Sequence, residues 1–378
     1  MRTGTSGFVG QQLVEARDVR GLTQVALSQM IGVAKSTLSK WENGKALPEF
    51  DSIEKLSSTL GVPRDWFFEQ PTQISTVYYF RSNNSATLKA RTVAETRLKW
   101  TYRIADKMSY WLGLPKINLP DSPSRQDALL LTDEEIENYA MACREKWNLN
   151  TGPITNLTRV AEANGIVIAY EDSDYGSMDG VSAWVNERPF VWLSANKDCA
   201  VRNRFNLAHE LGHIVLHRFL EDKDTTAKEY AERERQAHLF ASALLMPAES
   251  ITLRLRGVTL DRLLVEKQYW GASVAALIRR AYTLEVITEE HYSRLMRNLS
   301  YRKWRTKEPL DDVLPIEKPL LLTRCVEALL NSAGFNKEDI LIKFGLSHTD
   351  IQTLCGLPDD IWNPKVKKPN LRILDNAS

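Results

Sequence analysis

Apolar and polar positions alternate along this chain with two different periods. From Phe8 to Phe68 the pattern is helical with short breaks. Apolar residues recur three and four apart at Leu22, Ala26, Leu27 and Ile31, and again at Ile53, Leu56 and Leu60. Gly21, Gly32, Gly44 and Gly61 punctuate the segment as loop or helix-end residues. The pattern predicts a bundle of about five short helices. Residues 72–82 read as a short strand or a connector, and 85–112 as one long helix with a basic first part. In that helix Lys89, Arg91, Arg97, Lys99 and Arg103 are opposed only by Glu95. A solvated face is the expected role of those cations, with phosphate contacts as the alternative. A loop rich in proline and polar residues covers 115–127. Thr132 opens a further helix with the capping box TDEE.

The texture then changes. GIVIAY (165–170), GVSAWV (180–185) and PFVWLSA (189–195) are short, β-branched and aromatic, with turn residues between them. They predict a three-stranded antiparallel sheet. Helical periodicity returns at 202–217 and 227–245 and dominates to about residue 300. Residues 301–378 are mostly helical and end in a polar tail. No internal repeat stands out. The expected fold class is α+β, mainly α with a small β-sheet. The expected domains are a helical bundle over 1–70, a connector over 71–125, a site-bearing domain over 126–300 and a helical extension over 301–378.

Bulk numbers narrow the function. The 378 residues carry 49 basic and 48 acidic side chains, so no global positive field draws nucleic acid, and any DNA contact must be a local patch. The four cysteines (Cys143, Cys199, Cys325 and Cys355) form no CxxC pair, which argues against a cysteine zinc ribbon and a disulfide framework. The first residues lack the apolar run of a signal peptide, and no apolar stretch is long enough to cross a bilayer. The expectation is a cytoplasmic protein with no membrane partner.

The stretch FNLAHELGHIVLH (205–217) holds three of the six histidines. On a helix, His209 and His213 project from one face, so both imidazoles can reach one ion. A catalytic Zn2+ takes three protein ligands and keeps a position for water. Glu210, next to the first ligand, can then act as general base. A third ligand is expected further on. Glu234 lies on a following helix, twenty-one positions after His213; the alternative for it is a solvated charge within a charged run. His238 and His217 are candidates for residues that orient a ligand without touching the ion. The bland alternative for the whole stretch is a structural histidine pair on a buried helix. Gly212 in mid-helix costs about 1 kcal/mol relative to alanine, which suggests close approach by another backbone.

RNRFNLAHELGHIVLH, followed by ERERQAHLFASALLMP, resembles the ImmA/IrrE family of zinc metallopeptidases. The resemblance covers roughly residues 75–300 and implies a zincin-like domain. It implies His209, His213 and Glu234 as ligands, Glu210 as base, and a protein substrate, commonly a helix-turn-helix repressor. The chain departs from the family at His238, where asparagine is usual.

RGLTQVALSQMIGVAKSTLSKWENGKALPEFDSIEKLSSTLGV (20–62) resembles the Cro/repressor (XRE) type of helix-turn-helix. Thr23 can cap the first helix, Gly32 allows the turn, and Leu38 and Trp41 face the core. Lys35, Ser36, Ser39, Lys40 and Asn43 are left outward for base edges and phosphates of double-stranded operator DNA, with Gln24 placed for a phosphate. Ala34 and Ala26 replace the usual capping residues. Lys35, Lys40 and Lys45 make a local positive patch, and a homodimer would raise affinity. The alternative is a helix pair with a solvated face.

Together these features predict a DNA-binding regulator fused to a zinc endopeptidase that cleaves a regulatory protein, in trans or within itself, in a stress, phage, mobile-element or toxin–antitoxin setting. The competing reading is a non-proteolytic repressor or antitoxin that uses the zinc fold as sensor or scaffold. A metal-dependent nuclease fits poorly, because such sites favour carboxylate clusters for magnesium.

Overall fold

The computed structural model describes residues 4–71, 74, 78–82, 87–171, 178–194, 199–220 and 225–362. The expected polar tail beyond 362 and the remainder of the 72–82 connector lie outside them.

The N-terminal segment folds into α1 (Gly10–Val19), α2 (Gln24–Ile31), α3 (Lys35–Glu42), α4 (Phe50–Leu60) and a 3-10 turn over Arg64–Phe68. Strand β1 (Tyr78–Ser82) leads to the long α5 (Leu88–Ser109), then α6 (Asp133–Lys146) and α7 (Leu157–Ala163). Strands β2 (Val167–Glu171), β3 (Met178–Val185) and β4 (Arg188–Ser194) precede α8 (Ala200–Leu216) and α9 (Ala227–Leu245). The rest is helical: α10 (Ala248–Ile251), α11 (Leu260–Trp270), α12 (Val274–Thr283), α13 (Glu289–Tyr301), α14 (Leu321–Ser332), α15 (Lys337–Phe344) and α16 (His348–Cys355). The class is α+β.

The sheet corrects the expected three-stranded antiparallel arrangement. It has four strands in the order β1-β3-β4-β2. β3 pairs antiparallel with both β1 and β4, whereas β2 pairs parallel with β4. Sequence neighbours β2 and β3 are not partners. The parallel pairing is open to β2 because its connection to β4 is long and contains β3, whereas a two-residue hairpin joins antiparallel strands.

Side chains alternate across the sheet and divide two cores. Val167 and Ala169, Val181 and Ala183, and Phe190 and Trp192 face one side, where they meet α5, the N-terminal bundle and α14–α16. Ile166, Ile168, Val191 and Leu193 face the other, against α6, α8 and α9. The C-terminal helices thus share a core with the N-terminal bundle.

Lys89 is exposed, as expected, and Arg91 half-buried, but Arg97, Lys99 and Arg103 turn inward rather than to solvent. Arg97 and Arg103 are buried. Arg97 bonds Asp350 at 3.0 Å and Glu171 at 3.1 Å, Arg103 pairs with Glu69, and Lys99 pairs with Glu15.

A repeat invisible in the letters emerges from the backbone. α2 and α3 are eight residues each, joined through left-handed Gly32 at φ 73°. α15 and α16 are also eight residues each, joined through left-handed Gly345 at φ 64°. Leu27, Ile31, Leu38 and Trp41 in the first pair match buried Ile340, Phe344, Ile351 and Leu354 in the second. The C-terminal pair uses its second helix for packing on β2 and α5.

Candidate metal centre and nucleic-acid interface

Seventeen residues of α8 form a helix whose final two-thirds are almost wholly buried. Its apolar neighbours Leu207, Leu211, Ile214 and Val215 anchor it between the sheet and α9. Gly212 explains the close approach: an added Cβ would lie 3.0 Å from the Ala237 Cα and 3.2 Å from its carbonyl oxygen on α9. α8 and α9 therefore press together, and Glu234 of α9 reaches the histidines of α8.

The three donor atoms converge. His209 Nε2 and His213 Nε2 are 3.0 Å apart. Glu234 Oε1 is 3.2 Å from His213 Nε2, and Oε2 is 3.4 Å from His209 Nε2. Among the described residues this is the group of histidines, cysteines and acids that could hold a metal ion. Zinc bonds of 2.0–2.1 Å in tetrahedral array separate ligand atoms by about 3.3 Å, so the donor set fits zinc in size and in chemistry. Burial alone would push the Glu234 carboxyl up. Hydrogen bonds from His209 and His213, and their charge, outweigh it and hold the group well below the usual carboxylate range. Glu234 keeps 20% of its side-chain exposure, so the cluster has one open side.

Glu210 is fully buried beside this group and points to β3. Ser182 Oγ donates to Glu210 Oε2 at 2.6 Å. An added Cβ on Gly180, two residues earlier on the same face, would stand 3.1 Å from Glu210 Oε1. Sequence reasoning missed both residues. The alternation of GVSAWV, with one polar residue set toward the site face, was the available signal.

His217 and His238 fall on opposite sides of the pair. His217 Nδ1 is 2.9 Å from His213 Nδ1, and His217 Nε2 is 2.9 Å from Gln236 Oε1. Burial, then the neighbouring His213, pushes His217 down to about 3, so its imidazole is neutral at physiological pH. His238 is exposed, with its ring packed edge-on to His209 at 4.5 Å between centroids. Tyr79 of β1 stacks on His213 at 5.5 Å. Its hydroxyl donates to the carbonyls of His217 and Leu220, so this phenol holds the end of α8. A cavity of about 600 Å³ opens onto His213 and Glu234, lined by Tyr78, Arg91, Tyr230 and Arg233.

At the other end of the chain, Thr23 caps α2 by accepting from the Ala26 amide, whereas Ala34 caps α3 without a side-chain bond. Leu38 and Trp41 are buried; Lys35, Ser36, Lys40 and Asn43 are exposed, and Ser39 is half-buried. Lys45 is exposed beside them. Two polar residues are engaged within the bundle. Gln24 Nε2 donates to Glu42 Oε2 at 2.6 Å, and Glu42 also pairs with Arg17 at 2.7 Å. Asn43 Nδ2 donates to the Ser39 carbonyl at 2.7 Å.

Fold and geometry thus define a chain that joins a helix-turn-helix segment to a metallopeptidase-type domain. Comparison with known proteins agrees. Residues 161–282 match the family profile of the IrrE N-terminal-like domain, and residues 13–67 match that of a helix-turn-helix. Over 60 residues the chain is 32% identical to the SPbeta prophage-derived HTH-type transcriptional regulator YonR of Bacillus subtilis (strain 168). That match spans 16% of this chain and 56% of the relative's length. No helix among the described residues is long and apolar enough to cross a membrane.

Proposed function

We propose that the protein is a DNA-binding transcriptional regulator whose IrrE-like domain is a zinc-dependent endopeptidase acting on a regulatory protein. One observation carries the enzymatic half: two imidazoles and a carboxylate converge within 3.4 Å, with a second, buried acid alongside. A purely structural zinc site is closed and has no use for Glu210.

His209, His213 and Glu234 would hold the ion. When bound, zinc supplies a Lewis acid for the scissile carbonyl and for an attacking water. Glu210 takes the water's proton and passes it to the leaving amine. Ser182 fixes one oxygen of that carboxylate, and Gly180 keeps space beside the other. The open side at Glu234 and the adjoining cavity admit the substrate chain.

Lys35, Ser36 and Lys40 form the groove-facing surface for operator DNA, with Ser39 and Asn43 behind them. Gln24 orients this surface through Glu42 and offers its remaining amide capacity to a phosphate. The near-neutral chain binds as a dimer, because one small patch gives little affinity. The 60-residue match to a prophage-derived regulator supports a phage or mobile-element setting, in the cytoplasm, with a repressor or antitoxin-type protein as substrate.

The test mixes zinc-loaded wild type and Glu210→Gln with the regulator encoded beside the gene, and weighs every chain by intact mass. A fragment pair with wild type alone supports the endopeptidase. Intact chains in both, with operator binding retained, favour the non-proteolytic repressor.

A further inference from the structure

A metal-bound histidine must offer a bare nitrogen to the ion and keep its proton on the other one. Nothing within His213 chooses between its two nitrogens. The choice is made by what its far side meets, and a chain of buried contacts leads from there to α9.

The chain starts at Glu232. Its carboxylate accepts from the Arg235 guanidinium at 2.8 and 3.0 Å. Gln236 Nε2 lies 3.2 Å from the same carboxylate. An amide nitrogen must face that carboxylate, so the orientation of the Gln236 amide is fixed and Oε1 points away, to His217. Oε1 can only accept. The proton of His217 therefore sits on Nε2, at 2.9 Å from Oε1. His217 Nδ1 is left as an acceptor, 2.9 Å from His213 Nδ1. His213 must donate from Nδ1. Its Nε2 is then the nitrogen left for the ion, facing His209 and Glu234. Each step follows from the hydrogen-bond partner before it.

We propose that Gln236, anchored by Glu232 and acting through His217, is the positioning residue that sets His213 in the tautomer able to grip the metal. The inference rests on the metal-centre reading, but its first readout needs no metal. Gln236 lies on the α9 face turned to α8, two residues past Glu234, so a single helix brings both a ligand and the device that orients another ligand.

The experiment uses full-length protein labelled with 15N-histidine. Long-range nitrogen–proton spectra of the metal-free protein report each tautomer, and zinc affinity is measured by chelator competition. Wild type is expected to carry a proton on His213 Nδ1 and on His217 Nε2, with His217 Nδ1 bare. Gln236→Met, which fills the space without an acceptor, should give mixed tautomers and a dissociation constant for zinc raised about 10–100-fold. Gln236→Glu keeps an acceptor and should hold both tautomers, with affinity within about threefold of wild type. Should Gln236→Met fail to fold, Glu232→Leu decides, because it frees the amide to turn at a half-exposed position and should mix the tautomers. Unchanged tautomers and unchanged zinc affinity in a folded Gln236→Met or Glu232→Leu protein overturn the proposal. A wild type that shows these tautomers but takes up no zinc instead overturns the metal centre, and leaves the relay standing as a structural element.

Discussion

Two buried polar clusters lie on opposite faces of the same sheet, and they are built on opposite principles. On one face Asp350 meets Arg20 at 2.6 Å and Arg97 at 3.0 Å, and Arg97 continues to Glu171 at 3.1 Å. Two cations answer two anions, and the group ties α1, α5, β2 and α16 together. On the other face, His209, His213 and Glu234 turn electron pairs toward one shared point. The first cluster is complete as protein. The second, on the function we propose, is completed by a cation. Burial and charge are alike in both, so neither property distinguishes a structural cluster from a chemical one. What separates them is whether the donors and acceptors satisfy each other.

The sharpest way to test this contrast is to remove one acid from each cluster. Glu210 stands beside the second cluster without belonging to its grip. Glu210→Gln is expected to lower turnover by about 10²–10⁴-fold, the usual range for a lost general base, while zinc content and operator binding stay at wild-type levels. Loss of zinc along with activity would make Glu210 part of the grip and undo the distinction between holding and reacting groups. Asp350→Ala takes from Arg20 its carboxylate partner and leaves Arg97 with Glu171 as its acid in the other cluster. Breaking a buried pair from one side costs about 3–5 kcal/mol, so a large drop in denaturant midpoint is expected with no change in zinc affinity. A variant as stable as wild type would show that the quartet clasps nothing.

Chelation should act on one cluster alone. At free zinc about 100-fold above the dissociation constant, binding contributes about 2.7 kcal/mol to the folded state. Stripping zinc should therefore lower the wild-type melting temperature and leave a Glu234→Ala protein unmoved. Equal sensitivity of both proteins to chelator would place the bound ion somewhere other than at these three residues.

The contrast also explains what could be read from the sequence. His209, Glu210 and His213 are neighbours on one helix, where a spacing of four suffices to put two side chains on one face. Glu234 sits on the next helix, and Gly212 signalled that a backbone would come close. The quartet joins Arg20 to Asp350 across 330 positions, and no local period encodes such a pair. For the same reason Arg97 reads as one more surface cation in a basic stretch. The strand sequences of the sheet were legible, but β2 chose a parallel partner beyond its neighbour, and pairing of that kind is written in the packing on both faces rather than in alternation. Ser182 was missed because the alternation of its strand gives a face but not a partner, and Gln236 because a glutamine in a charged helix carries no spacing signal. The repeat of α2–α3 in α15–α16 was hidden because only its glycine and its apolar positions recur, while its outward residues differ: Lys35 and Ser36 in one, His348 and Thr349 in the other.

The smallest expected effect is the one that separates the two acids of the quartet. Burial pushes Glu171 above the usual carboxylate range, with Arg97 pulling the other way. Burial also acts on Asp350, but the hydrogen bond and charge of Arg20, then Ser347 and Arg97, hold it below its usual value. The signs of their pH dependence must then differ. Asp350 favours the folded state above the unfolded aspartate value near pH ~3.9, and that contribution disappears as pH falls through its lower folded value. Glu171 does the reverse: its ionisation opposes folding, and the cost sets in as pH rises past the ordinary glutamate value. Urea titrations from pH 3 to pH 7 should show Asp350→Asn matching the wild type in acid and falling behind as pH rises, by about 1–3 kcal/mol at neutrality. Glu171→Gln should instead gain on the wild type over the same range. Parallel curves for both variants would mean that the four charges share their protons as one unit, and the balance described for each acid separately would have to be abandoned.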